Sequence, residues 1–185
     1  MCRLFAISLA LLLTSCIRHG TGTYFTSGIR DYAGDGTIRD ASQRGGGFRT
    51  RGYLVELPNF RLNRPYEHTF QLVGLPTIEG KRVEIAFLVP ETFSQTHTAN
   101  AHSTVEFSLS TTDGKQITSH KSTLGDLIWS SPVHGHSGYA LYHLDRSFFQ
   151  PVSTERYRLR ITYSPAAGAD SGEGYFYLWS AVGGS

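Results

Sequence analysis

From Tyr53 onward the chain alternates apolar and polar residues with a period of two. Tyr53, Val55 and Leu57 are separated by Leu54 and Glu56. Val105, Phe107 and Leu109 are separated by Glu106 and Ser108. Tyr157, Leu159, Ile161 and Tyr163 are separated by Arg158, Arg160 and Thr162. Successive side chains of a strand point to opposite faces, so this pattern predicts half-buried strands with one wet face. Further strands are expected at 66–73, 82–89, 116–121, 124–129, 138–144 and 174–181. Gly74-Leu75-Pro76, Glu79-Gly80 and Ser164-Pro165 mark turns between them, and Asp113-Gly114 marks a tight hairpin. Val83–Val89 and Tyr175–Trp179 are apolar at nearly every position, which predicts central strands covered on both faces. No long amphipathic helix is expected; one or two turns near Asp145–Phe149 are the best helical candidate. Eight or nine short antiparallel strands predict an all-β fold, a β-sandwich of jelly-roll or immunoglobulin-like kind over residues 53–185.

Residues 17–52 differ. Nine of these 36 residues are glycine, and six arginines face three aspartates. Apolar residues there show no period. This composition predicts a flexible tether, which as a coil would span about 30–36 Å. Tyr24, Phe25, Tyr32 and Phe48 leave open that part of the segment packs on the body or adds an edge strand.

The first residues form a third region. Arg3 precedes a ten-residue run, Leu4 to Leu13, with one serine in it. At about 1.5 Å per residue this covers half of a bilayer core of about 30 Å, too short to span but the size of a signal-peptide core. The run ends in Leu13-Thr14-Ser15-Cys16. An aliphatic residue, two small residues and a cysteine resemble the lipobox of bacterial lipoproteins. That resemblance implies a signal peptide over residues 1–15 and lipid attachment at Cys16, with membrane anchoring through two or three acyl chains. With Ile17 after the cysteine, it implies the outer membrane of a cell envelope, facing the periplasm.

The 185 residues carry 17 basic and 15 acidic side chains, too even a balance for nucleic acid as a partner. Both cysteines, Cys2 and Cys16, lie at the N-terminus, so a disulfide, a cysteine nucleophile or a thiolate metal site in the body is excluded. Gly80-Lys81 and Gly114-Lys115 lack the rest of a phosphate-binding loop, and neither G-x-S-x-G nor H-E-x-x-H occurs. Asp31, Asp35 and Asp40 do not have calcium-loop spacing. No catalytic residue, metal ligand or cofactor is assigned. The eight histidines are the one constellation of chemical interest, with His97 and His102 in one group and His134, His136 and His143 in another. An H-x-H pair on a strand offers two imidazoles on one face. Against this, Pro132, Gly135 and Gly138 place the pair in a loop, and the nearest carboxylate in sequence is Asp145. Ser137 beside His136 could be fitted to a hydrolytic triad, but no oxyanion-hole signal accompanies it.

Two sets of residues remain as binding candidates. Arg156, Arg158 and Arg160 form a charged row on one strand face, suited to an acidic partner, a phosphate-rich glycolipid or an anionic polysaccharide, or serving as a solvated outer face or a charge-guarded edge. Tyr66, Tyr139, Phe148 and Phe149 fall at strand ends or in loops, where exposed aromatics engage sugars or proteins. The leading expectation is a non-enzymatic envelope lipoprotein whose sandwich binds a protein partner, as in secretion-system assembly or toxin immunity. A carbohydrate-binding lipoprotein and a histidine-based metal protein or enzyme are the alternatives.

Overall fold

The computed structural model describes residues 29–180, apart from 42, 46–47, 51, 92, 94–97, 131–138 and 145–146. Thirteen strands are defined among the described residues: β1 (Thr37–Asp40), β2 (Gln43–Gly45), β3 (Phe48–Thr50), β4 (Tyr53–Glu56), β5 (Phe60–Arg61), β6 (Tyr66–Val73), β7 (Val83–Pro90), β8 (Thr104–Thr111), β9 (Gln116–Thr123), β10 (Ile128–Ser130), β11 (Tyr139–His143), β12 (Arg156–Ser164) and β13 (Glu173–Ser180). Among the described residues helix is confined to single turns, such as α1 (Thr98–Ala101). None of the described helices is long and apolar enough to cross a membrane.

The expected β-sandwich is present. One sheet has the order β1-β4-β13-β7-β11-β10, with β5 also paired to β13. The facing sheet has the order β6-β12-β8-β9, and β2 and β3 pair separately as a two-stranded ribbon. Every pairing is antiparallel. Between the sheets lies one core. Phe70 and Leu72 of β6, Tyr157, Leu159, Ile161 and Tyr163 of β12, and Val105, Phe107 and Leu109 of β8 pack against Val83, Ile85, Phe87 and Val89 of β7 and Phe176 and Leu178 of β13. One end of the core is aromatic. The Phe60 ring stacks on Tyr66 at 4.5 Å and on Phe176 at 5.2 Å, and Phe87 stacks on Phe176 at 4.7 Å. Gly174 makes room for this stack: a Cβ there would sit 2.7 Å from Leu62 and 3.0 Å from the Phe60 and Phe87 rings.

β7 and β13 are central and buried through most of their length, as sequences apolar at nearly every position predict. The Asp113-Gly114 hairpin joins β8 to β9, with Gly114 at φ 94° and a register shift at Leu109/Ser110. The strands outnumber the eight or nine expected, because β1, β2, β3 and β5 are too short, at two to four residues each, to show a period. The expected strand at 124–129 opens as a 3-10 turn, Leu124–Asp126, before β10 begins at Ile128. No helical turn forms at Ser147–Phe149: Phe149 is extended and bridges Val83.

The Gly-rich segment also differs from a simple tether. β1 pairs with β4 and forms an edge of the larger sheet. Ahead of it, the Ala33 N–H donates to Val73 O (3.0 Å) and the Asp35 N–H to Gln71 O (2.7 Å), while Asp35 Oδ2 accepts from the Gln71 N–H (2.6 Å). Residues 33–35 thus satisfy part of the outer edge of β6, which would otherwise be an open template for pairing. Ile29 and Tyr32 pack against the core. Burial and the Asp35 carboxylate push the Tyr32 hydroxyl pKa far above the ordinary tyrosine value.

Two buried serines complete the ladders where strands run out. The Ile85 N–H donates to Ser147 Oγ (3.0 Å), and Ser147 Oγ donates back to Ile85 O (3.1 Å). Ser180 does the same for Tyr53, accepting from its N–H (2.6 Å) and donating to its C=O (3.3 Å). Both serines have no exposed surface. Each hydroxyl replaces a missing strand neighbour, as buried backbone groups require.

Candidate functional site

The alternation that fills the core also builds an outer face on the larger sheet. Ala86 and Leu88 of β7, Leu141 of β11 and Tyr177 of β13 form a second buried apolar cluster there. Leu54, Tyr175 and Trp179 pack at its margin and stay half-exposed. Tyr175, Tyr177 and Trp179 share this face because they sit at alternate positions of one strand. Trp179 lies opposite Leu54 on one side and Glu84 on the other. Beyond Leu54 is Arg39, whose guanidinium meets Glu56 at 3.3 Å.

Glu84 is the unexpected member of this face. It sits within an apolar strand with a side chain only 4% exposed. Burying a carboxylate in isolation is costly, so it needs a partner. His143 supplies one: its Nδ1 lies 2.6 Å from Glu84 Oε1. With a carboxylate as acceptor, Nδ1 carries the proton and donates. The hydrogen bond to Glu84 raises the His143 pKa above the ordinary histidine value, against a smaller opposing effect of burial. A carboxylate that holds an imidazole in one orientation is the arrangement used to steady a metal-ligating or proton-transferring histidine. Sequence proximity pointed to Asp145 and missed Glu84, which lies 59 positions away. The signal available was an acidic residue in an otherwise apolar strand. Among the described residues no group of three histidine, cysteine or acidic side chains could hold a metal ion. His97, His134, His136 and Ser137 lie outside the described residues, and so does Cys16.

The arginine row lies on the opposite outer face. Arg156, Arg158 and Arg160 are all exposed and alternate with inward residues. β12 is flanked by β6 and β8, so the row is not on an edge strand. Arg160 is held by Glu67 through two hydrogen bonds, of 3.0 Å from Nε and 2.7 Å from a terminal nitrogen. Arg158 stands between Gln71 and Ser110, and Arg160 between Thr69 and Ser108. Lys121 on β9 pairs with Glu106 at 3.6 Å.

The four aromatic candidates separate. Phe148 is 47% exposed, as a binding residue would be. Phe149 is 4% exposed: it joins the core, edge-on to Tyr157 at 5.6 Å, which corrects its assignment to a binding surface. Tyr66 is half-buried and belongs to the aromatic stack with Phe60. The backbone of Tyr139 pairs with Pro90, and its side chain lies outside the described residues.

A cleft of about 240 Å³ lies between Phe93, Asn100, Ala101, Leu124, Gly125, Leu127 and Tyr142. It is smaller than most small-molecule sites. Its amide is already used, since Asn100 Nδ2 donates to Phe93 O (2.7 Å) and Asp170 Oδ2 (3.1 Å). A scan of protein-family models finds no match to this chain, and a search of curated proteins finds none either.

Proposed function

We propose that this chain is a non-enzymatic envelope lipoprotein, held at the membrane through Cys16, whose β-sandwich binds a protein partner through the outer face of the larger sheet. The observation that carries the proposal is the half-exposed apolar margin of that face, Leu54, Tyr175 and Trp179 around buried Tyr177. Large aromatics supply most of the binding energy in protein interfaces, and a polar rim such as Arg39 and Glu56 excludes water around them. The lipobox and the outer-membrane, periplasm-facing location it implies are part of the same proposal.

The test is capture of partners from detergent-solubilised envelopes by the wild-type chain and by Trp179→Ala, with unfolding curves confirming that the variant stays folded. One stoichiometric protein, lost or strongly reduced with Trp179→Ala, supports the reading. Failure to capture any reproducible protein, or equal capture by the variant, overturns it. Glycan binding remains a second reading because half-exposed Tyr175 and Trp179 also suit stacking of sugar rings. Retention on isolated cell-wall or outer-membrane glycan without a protein partner would favour it.

A further inference from the structure

We infer that the outer face of the β6-β12-β8-β9 sheet is a contact surface for anionic lipid headgroups, placed there by the way the N-terminal segment joins the body. The inference deepens the lipoprotein reading and rests on it for the anchor.

Three observations converge. The first is the place where the chain joins the body. Residues 33–35 run along β6 and bond to Gln71 and Val73. Those are the β6 positions paired with Arg158 and Arg156. The segment leading to the anchor therefore meets the body one strand away from these two arginines, a separation of about 5 Å.

The second is reach. Ile29 is 13 residues from Cys16. A chain of that length extends at most about 45 Å. An acylated Cys16 therefore confines this end of the sandwich to within about 45 Å of the headgroups, so that encounters with the surface recur, and the membrane surface potential acts on the arginines when the face comes within about 8 Å.

The third is the chemistry of the face. It carries Arg156, Arg158, Arg160 and Lys121 against Glu67 and Glu106. Arg160 and Lys121 are paired with those two glutamates, which leaves Arg156 and Arg158 without an ion pair among the described residues. Two steps apart on one strand, they stand about 7 Å from each other on the same side. Around them are hydrogen-bonding groups without charge: Thr69, Gln71, Ser108 and Ser110. Nearby loops add Lys115 and Asp113, which offset each other, and Glu155 beside Arg156, so the face and its loops keep a net charge of +1, with Arg158 at its centre. A surface of guanidinium, amide and hydroxyl groups complements phosphate headgroups and lacks the apolar centre that a protein interface needs.

The test is flotation of the full-length chain with Cys16→Ala, so that acylation does not fix it to the bilayer. Vesicles are of phosphatidylcholine alone or with 30% phosphatidylglycerol, at low and high salt. The apolar N-terminal run is common to all variants, so the comparison isolates the face. Wild type is expected to bind the anionic vesicles more tightly, with the preference collapsing at high salt. Each of Arg156→Gln and Arg158→Gln is expected to weaken that binding about fivefold, and the double substitution twenty- to thirtyfold. Lys121→Gln, already paired, is expected to change it less than twofold. Wild type showing no preference for anionic vesicles, or a double variant that retains the preference, overturns the inference. Wild type that ignores the vesicles yet loses an acidic protein partner on double substitution overturns it in favour of that partner. Incorporation of labelled palmitate at Cys16 in cells is measured separately. Acylation without lipid preference leaves the anchor standing and removes the face; lipid preference without acylation does the reverse.

Discussion

Ser147→Ala tests whether a side chain truly replaces a strand neighbour in this sandwich. β11 ends at His143, and Leu144 makes a long 3.4 Å bond to Ile85 O. The N–H of Ile85 on that side is served by Ser147 Oγ at 3.0 Å. Both residues have no exposed surface, so water cannot replace the hydroxyl. Alanine removes the acceptor and orphans a buried donor, a loss of about 1–3 kcal/mol. The acceptor side loses less, because Leu144 still reaches Ile85 O. A value near 2 kcal/mol is therefore expected, a fall in Tm of about 4–8 °C for a chain of this size. Urea unfolding followed by tyrosine and tryptophan fluorescence measures it, with Ser153→Ala, on the exposed loop before β12, as the reference that should stay within about 0.5 kcal/mol. Ser147→Ala within 0.5 kcal/mol of wild type, at unchanged m-value, would refute the reasoning. The substitution also bears on the site, since Ser147 fixes how the chain leaves β11 and returns with Phe149 inward and Phe148 outward.

Two other predictions concern charge and backbone. The folded-state pKa of His143 is raised by Glu84, so the stabilisation from this pair is fully present below the unfolded value of about 6.5 and is lost as pH rises through the folded value. The stability difference between wild type and Glu84→Gln should accordingly be larger at pH 5.5 than at pH 8.5, with an NMR titration locating the His143 midpoint; a difference independent of pH would refute the pairing. Gly74 has φ 71°, and a Cβ there would lie 2.3 Å from Asp31 O. Gly74→Ala should therefore cost about 1–3 kcal/mol and expose residues 29–35 to faster hydrogen exchange while β7 and β13 keep their protection; uniform loss of protection would contradict this.

The parts of the fold readable from sequence are those governed by local periodicity. β12 shows a strict alternation because one of its faces is wet, and β7 and β13 are apolar at nearly every position because the core takes one face and a second buried cluster most of the other. Asp113-Gly114 is legible because a left-handed glycine turn has its own chemistry. What escaped depends on distant pairing. β1 is too short to show a period, and the 33–35 segment is held by backbone bonds to β6 that no side-chain pattern announces. The outward face of the arginine row was legible, whereas its central place in the sheet required the strand order. Phe148 and Phe149 look alike in sequence; a single bridge to Val83 sends one outward and the other into the core. Glu84 and His143 carried chemistry only as a pair, and nothing local to either residue connects them.

The proposed lipid anchor at Cys16 is open to direct measurement. Intact-mass analysis of the chain recovered from envelope membranes decides it. The expected species lacks residues 1–15 and carries acyl chains on Cys16. A chain that keeps its first fifteen residues, or one recovered from the soluble fraction with an unmodified Cys16, would contradict it.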